Sequence, residues 1–131
     1  MECFTKTKSD ASFISRLILV LWVISTGAVC YLSLAPKIEF PIDFTGADLF
    51  YHALAYLWLS FLPFFIFQKI RKCLMYALLM ILVGIALEFG QTFIPGRDFS
   101  ILDMVSNSVG SILGMVCGKY VRATVANVLN P

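Results

Sequence analysis

The chain has 131 residues, of which 60% are hydrophobic and only 14% are charged, and its formal net charge is +2. Soluble domains carry about a quarter of their residues as charged types, so this composition excludes an ordinary soluble fold and indicates a membrane protein. The small net charge, with no basic stripe in any segment, argues against nucleic acid as a partner, and the length suits one domain.

Four apolar stretches are each about as long as a membrane-spanning helix. A hydrocarbon core about 30 Å thick needs about 20 apolar residues in a helix. The stretches are continuously apolar rather than alternating, which favours helices over the strands of a membrane β-barrel. We therefore predict an all-α membrane protein, a compact bundle of four transmembrane helices at residues 14–35, 49–67, 73–93 and 102–120.

The first stretch also has a feature of secretory signal peptides, because Ser33 and Ala35 are small residues at the spacing of a cleavage site. Its apolar run is longer than a usual signal core. In addition, Pro36 follows the site directly, which fixes the backbone and removes an N–H group there. We therefore interpret the stretch as an uncleaved first helix.

The lysines and arginines predict the orientation of the bundle. The two loops after spans one and three hold only Lys37 and Arg97, whereas the remaining basic residues flank the opposite ends of the spans. The positive-inside rule therefore predicts that both termini are cytoplasmic, with residues 1–13 and 123–131 as cytoplasmic tails. The cytoplasmic basic residues are Lys6, Lys8, Arg16, Lys69, Arg71, Lys72, Lys119 and Arg122.

Two features predict how the spans bend and pack. Pro63 lies inside the second span and has no N–H, so the carbonyl of Leu59, one turn earlier, should lose its helical partner at a kink. The fourth span carries glycine at every fourth position, which lets another helix approach closely. We predict a helix-packing seam at Gly110, Gly114 and Gly118.

Polar residues collect at the ends of three spans, on the side that this topology makes outer. Charged side chains in or beside apolar spans are costly, and they indicate a functional site unless another explanation is found. Spacings of three or four residues put several of them on a shared helix face. The resulting candidate polar site consists of Asp48, His52, Glu88, Gln91, Arg97, Asp98, Asp103 and Asn107.

Two of these residues, Asp48 and Asp103, also match a helix-capping pattern. Thr45 and Ser100 precede them by three residues, as in the [ST]-x-x-[DE] capping box. A carboxylate at that position is stabilised by the positive end of the helix. Capping and membership of a site are about equally supported for both residues, and one does not exclude the other.

The other candidates have structural explanations of unequal strength. Arg97 and Asp98 could simply decorate the Pro-Gly turn that precedes them, while Gln91 and Asn107 could hydrogen-bond between helices. Glu88 lies about 10 Å below that turn, and an internal ion pair is its main structural explanation. It is therefore the candidate that is hardest to explain without a function.

Several strings follow one another in a specific order. They are SLAP at 33–36, then D-x-x-x-H with a tyrosine after it at Asp48, His52 and Tyr56, then EFGQTFIPGRDFSILDMVSNSVGSILG at 88–114. In this order the chain resembles the VanZ-like family of small bacterial integral membrane proteins. The resemblance covers about residues 31–118, and it makes residues 14–122 a VanZ-like four-helix transmembrane domain.

The resemblance implies a multi-pass protein of the bacterial plasma (inner) membrane and a role in the cell envelope. The family takes its name from a protein associated with resistance to the glycopeptide antibiotic teicoplanin, so antibiotic resistance is an implied context. The resemblance implies no particular reaction, and the substrate class stays open.

Three kinds of function remain open on this sequence. The first is an outward-facing polar site that binds a lipid head group, a cell-wall precursor or a glycopeptide-type drug, to which two helix N-termini and Arg97 are suited. The second is a membrane enzyme of unknown reaction, with Glu88 and His52 as acid and base. The third is a non-catalytic structural or interaction partner of other membrane proteins, in which the glycine stripe could also support a homo-oligomer.

Metal binding is the remaining possibility. Asp48, His52, Glu88 and Asp103 offer oxygen and imidazole ligands of the kind that divalent ions take. Because no compact ligand motif contains them, no metal site is predicted, and the sequence identifies no cofactor. Membrane lipids are the expected partners.

Overall fold

The structure is a computed structural model that describes the backbone of residues 2–35 and 46–129 and the side chains of residues 12–35 and 46–127. The regular secondary structure of the described segments is all helical, with no strand among them. The helices are α1 (Glu2–Leu34), α2 (Ala47–Phe61), α3 (Pro63–Ile66), α4 (Ile70–Gln91) and α5 (Ile101–Leu129).

Four helical segments are long and apolar enough to cross a membrane, and they are Ser12–Leu34, Ala47–Ile66, Ile70–Gln91 and Ile101–Asn127. The prediction of an all-helical protein with four helices of membrane-spanning length is therefore confirmed. The helices differ from the predicted spans mainly at the ends of the chain. The helix of the first span starts at Glu2 and that of the fourth continues to Leu129, because the polar and small residues beyond the apolar runs include no proline or glycine that would stop a helix.

Helices α2 and α5 pack against each other more extensively than any other pair, and they run parallel. A Cβ atom on Gly110 would overlap the carbonyl oxygen of Ala53, and one on Gly114 would overlap that of Leu57. The two backbones are therefore in direct contact, which only glycine allows at these positions. Since α2 fills the glycine stripe within a single chain, a second copy would have to bind another face.

The second span breaks where Pro63 was predicted to kink it. Helix α2 ends at Phe61, and the one-turn helix α3 continues the span from Pro63. The carbonyl of Leu59, which Pro63 cannot bond, accepts a hydrogen bond of 2.8 Å from the indole Nε1 of Trp22. Trp22 is the one buried side chain among the described residues of α1, so this bond anchors an otherwise lipid-exposed helix to the bundle.

Arg122 closes the end of the bundle where α3 stops and α4 starts. Its Nη1 donates to the carbonyl oxygens of Phe67 at 2.6 Å and Phe64 at 3.2 Å, and its Nη2 donates to that of Gln68. The last carbonyls of a helix have no partner within the helix, and a cation is favourable there. Arg122, which lies on α5, therefore ties α5 to the connection between the second and third spans.

Candidate functional site

Four polar side chains converge where α2 and α5 begin, with His52 at their centre. The Nδ1 atom of His52 lies 3.0 Å from Oδ1 of Asn107. Its Nε2 atom lies 3.8 Å from Oδ1 of Asp48 and 3.9 Å from Oδ2 of Asp103. Because an amide oxygen only accepts, Nδ1 carries the hydrogen of this bond and Nε2 faces the two carboxylates.

The packing of α2 on α5 explains why these residues meet. Asp48 and His52 are four residues apart on α2, as are Asp103 and Asn107 on α5, so each pair lies on one helix face. The glycine stripe, which begins at Gly110, continues the face that carries Asn107. The polar cluster therefore lies at the end of the seam along which the two backbones touch.

Glu88 is buried behind this cluster, in the last turns of α4. The residue is only 1% exposed, and its carboxylate interacts electrostatically with Asp103, His52 and Asp48. The backbone N–H of Ser100 interacts favourably with the same carboxylate. Its Oε2 atom, however, has no hydrogen-bond partner in the part of the chain that the structure describes.

Two further buried polar groups near this end of α4 lack partners among the described residues. They are Nε2 of Gln91, which is 2% exposed, and the hydroxyl of Tyr56, which is 1% exposed and interacts electrostatically with Glu88. Most buried polar atoms in folded proteins are hydrogen-bonded, and each exception needs an explanation. A buried water or another bound group near the cluster would supply the missing partners.

The two predicted capping boxes have different outcomes. Ser100 accepts a hydrogen bond of 3.2 Å from the backbone N–H of Asp103, so the cap predicted at the start of α5 is confirmed. Helix α2 instead begins after Gly46, whose φ of 87° is a conformation that favours glycine, and no side chain among the described residues caps it. This makes Asp48 the second residue of its helix rather than the third, and Thr45 lies outside the described residues.

The turn between α4 and α5 directs Arg97 back toward α1. The N–H of Arg97 donates to the carbonyl of Ile94 at 3.1 Å across the predicted Pro-Gly turn, in which Gly96 has a φ of 81°. The guanidinium Nε then donates to the carbonyl of Ala35 at 3.1 Å, and Nη2 donates to that of Leu32 at 3.0 Å. Arg97 therefore binds the last carbonyls of α1.

Asp98 is the candidate that the structure leaves outside the cluster. Its side chain is exposed in the loop before α5, and none of the ion pairs found among the described residues includes it. The turn that carries Arg97 inward points the next residue outward.

A cleft between α1 and α2 gives access to the cluster. One wall is mostly apolar and comes from α1, and Arg97 closes the end. The lining residues are Val29, Leu32, Ser33, Asp48, Tyr51, His52, Ala55, Tyr56 and Arg97. Sequence reasoning did not include Val29, Leu32, Tyr51 or Ala55 in the site, because apolar and aromatic residues inside a span give no signal of this kind.

The ligand atoms of Asp48, His52 and Asp103 all lie within 4.8 Å of one another, as the donors of a metal site would. No metal site was predicted at these residues, because they belong to no local motif. Their proximity results from the parallel packing of two helices that are separated along the chain by α3 and α4.

Comparison with known proteins identifies one family. The family model described as VanZ/LLP1 matches residues 11–122, which include the first three spans, most of the fourth and every candidate site residue. No curated protein and no solved structure gives a significant match to the chain.

Proposed function

Starting from the finding that this chain belongs to the VanZ/LLP1 family, we propose that it binds a phosphate-bearing lipid head group in the cleft between α1 and α2. The lipid is a membrane phospholipid or a lipid-linked cell-wall precursor. We place the protein in the bacterial plasma membrane as part of the cell envelope, with both termini cytoplasmic and the cleft facing outward. The distribution of lysine and arginine supports this orientation.

The composition of the cleft is the observation that carries the proposal. Val29 and Leu32 form an apolar wall on α1, while Asp48, His52 and Arg97 supply polar groups at one end. A lipid has the same division into an apolar chain and a charged head. Arg97 bonds the carbonyls of α1 through Nε and Nη2, so it offers a phosphate its positive charge and its remaining nitrogen, Nη1.

The size and setting of the cleft favour a head group over the other predicted ligand classes. Nine side chains at one end of a small bundle line it, which suits a head group better than a bulky glycopeptide drug. A purely structural cluster would be expected to satisfy its own polar atoms, yet Oε2 of Glu88 and Nε2 of Gln91 have no partner among the described residues. This argues against a role in helix packing alone.

A membrane enzyme is the second candidate, and the orientation of His52 favours it. Asn107 accepts the Nδ1 hydrogen, so the neutral ring presents the lone pair of Nε2 beside the cleft. A histidine held in this way can serve as a general base toward a bound head group. Incubation with the identified lipid, followed by mass analysis of products, separates an enzyme from a binding protein.

Lipid analysis with a blocked cleft tests the proposal. The wild type should co-purify with one phosphorylated lipid at a higher level than in the bulk membrane extract. Leu32→Trp should fill the cleft and lose that enrichment, because Leu32 lines it. Leu21→Trp is the matched control, since Leu21 is a similarly exposed leucine of α1 outside the cleft. An identical lipid profile in all three proteins would refute the proposal.

A further inference from the structure

We propose that Asp48, His52 and Asp103 bind a divalent transition-metal ion of the Zn²⁺ or Mn²⁺ kind. The donor atoms are Nε2 of the imidazole and one oxygen from each carboxylate. We further propose that this ion receives the phosphate of the head group, and this second part rests on the proposed function.

The spacing of the donor atoms is close to that of a metal site. Nε2 of His52 lies 3.8 Å and 3.9 Å from the two carboxylate oxygens, and the three donors lie within 4.8 Å of one another. An ion at the centre of the triangle that these atoms form would lie about 2.5 Å from each, whereas Zn²⁺ takes these ligands at about 2.0–2.2 Å. The side chain of Asp48 is 65% exposed, so it can move the few tenths of an ångström required.

The partner of the other imidazole nitrogen also matches a metal-binding histidine. A histidine that ligates a metal through one nitrogen usually donates the hydrogen of the other to a carbonyl or carboxylate, which fixes the ring and its tautomer. Here Asn107, which is 2% exposed, provides that acceptor for Nδ1 at 3.0 Å. The ring is therefore oriented with its Nε2 lone pair between the two carboxylates.

The charge of the cluster favours a cation. Asp48, Asp103 and the buried Glu88 surround a single imidazole, while the nearby guanidinium of Arg97 is directed to the carbonyls of α1. Buried carboxylates are costly unless they are paired or coordinate a metal. The unpartnered Oε2 of Glu88 is a second, independent observation in favour of a cation, because it is a buried oxygen beside the three proposed ligands.

A protonated His52 accounts for the cluster less well. Charge-assisted hydrogen bonds between nitrogen and a carboxylate are about 2.7–2.9 Å long, and both separations at Nε2 are about 1 Å longer. An imidazolium would draw at least one carboxylate into direct contact. The observed gap instead leaves space for an ion between the three side chains.

Metal binding by the purified full-length chain tests the first part of the proposal. Equilibrium dialysis against Mn²⁺ or Zn²⁺ alone, after removal of any affinity tag, should give one bound ion per chain. Asp48→Asn should weaken binding at least about tenfold, and the fold should be retained because the side chain of Asp48 is exposed. Asp98→Asn is the matched control and should bind as the wild type does, because Asp98 is an exposed carboxylate of the same end outside the cluster.

A spectroscopic measurement identifies the ligand. His52 is the only histidine of the chain, so a bound Cu²⁺ probe should show the electron spin-echo modulation of one imidazole. His52→Ala should abolish that modulation. Absence of binding in the wild type, equal losses in Asp48→Asn and Asp98→Asn, or a bound ion without an imidazole signal would each overturn the metal site.

Lipid binding with and without a chelator separates the two proposals. If both hold, EDTA should release the co-purified phospholipid and Mn²⁺ should restore it. Lipid retention in a protein that binds no metal would overturn the metal proposal and leave the proposed function standing. Metal binding without any enriched lipid would overturn the proposed function and leave the metal site standing.

Discussion

His52 of α2 and Asn107 of α5 are joined by a hydrogen bond of 3.0 Å between Nδ1 and Oδ1, although 55 residues separate them in the chain. The bond lies between the second turns of two parallel helices, next to the glycines at which the helices touch. It gives one nitrogen of the imidazole a structural partner and leaves the other to face Asp48 and Asp103. The geometry of the site therefore depends on how α2 is placed along α5.

A double-mutant cycle should detect the coupling between His52 and Asn107. Each alanine substitution leaves the other polar group without its partner, so the double variant should be less destabilised than the sum of the two by about 1 kcal/mol. Reversible unfolding in mixed detergent micelles measures the free energies of unfolding of the wild type and the three variants. Strictly additive losses would show that the bond contributes nothing.

The bond from Trp22 to the carbonyl of Leu59 should matter because of Pro63. Trp22→Phe removes the donor and should lower the free energy of unfolding by about 1–3 kcal/mol. In a Pro63→Ala background the new backbone N–H can bond the same carbonyl, so the cost of Trp22→Phe should shrink.

Trp58 provides the control for this cycle. It is the only other tryptophan of the chain, and its Nε1 donates at 3.3 Å to the side chain of Ser25 at an exposed position. Trp58→Phe should have a small effect that is the same in both backgrounds. An equal cost of Trp22→Phe with and without Pro63 would contradict this explanation of the kink.

Alanine at the contact glycines should disrupt the bundle. A methyl group at Gly110 or Gly114 would overlap a backbone carbonyl of α2, and backbone cannot move aside as a flexible side chain can. We expect each substitution to destabilise the protein by more than about 2 kcal/mol. Gly27→Ala on α1 meets no atom within 4 Å, so it should be neutral or stabilising by up to about 1 kcal/mol. Thermal unfolding in detergent compares the three, and similar effects at all of them would refute the packing argument.

Arg97 should hold the end of α1 against the bundle. Arg97→Gln loses the charged donors to Ala35 and Leu32 and should cost about 1.5–3 kcal/mol. Arg97→Lys should recover little of this, because an ammonium cannot reproduce the forked geometry of a guanidinium. Arg71→Gln, at an exposed position at the start of α4, should change stability little. Equal losses of unfolding free energy in Arg97→Gln and Arg71→Gln would contradict the role of Arg97 in holding α1.

Labelling of single introduced cysteines tests the orientation that the positive-inside rule predicts. A cysteine at position 98, in the exposed loop before α5, should react with a membrane-impermeant maleimide in intact spheroplasts. A cysteine at position 72, exposed at the start of α4, should react only after permeabilisation. The unsubstituted chain gives the background from its own cysteines, and the reverse pattern would invert the proposed topology.

The helices and the candidate residues were predictable to different extents. Continuous apolar runs located all four spans, since the thickness of a bilayer leaves few alternatives. The carbonyl left by Pro63 could also be predicted from backbone chemistry, whereas its donor, Trp22, could not. An indole in an apolar span gives no indication of which helix it will face.

The contacts within the site were beyond sequence reasoning for a similar reason. Spacing placed Asp48 and His52 on one face, but Asp103, Glu88 and Asn107 were all possible partners of the imidazole at that end of the bundle. Asp98 follows Arg97 directly and was assigned to the same site, yet the turn directs it outward. Side-chain pairing across helices depends on their relative rotation, which hydrophobicity alone does not determine.

The backbone contact of α2 with α5 also has a consequence for how such a site can vary through mutation. The contacts between the glycines of α5 and the carbonyl oxygens of α2 fix the position of α2 along the axis of α5. A shift of one residue along this seam would move the start of α2 by about 1.5 Å relative to α5. Substitution of a glycine two turns away from the imidazole would therefore change the distances between the side chains of the polar cluster. Substitutions at the glycine positions of this seam should therefore occur together with substitutions in the polar cluster, rather than independently of them.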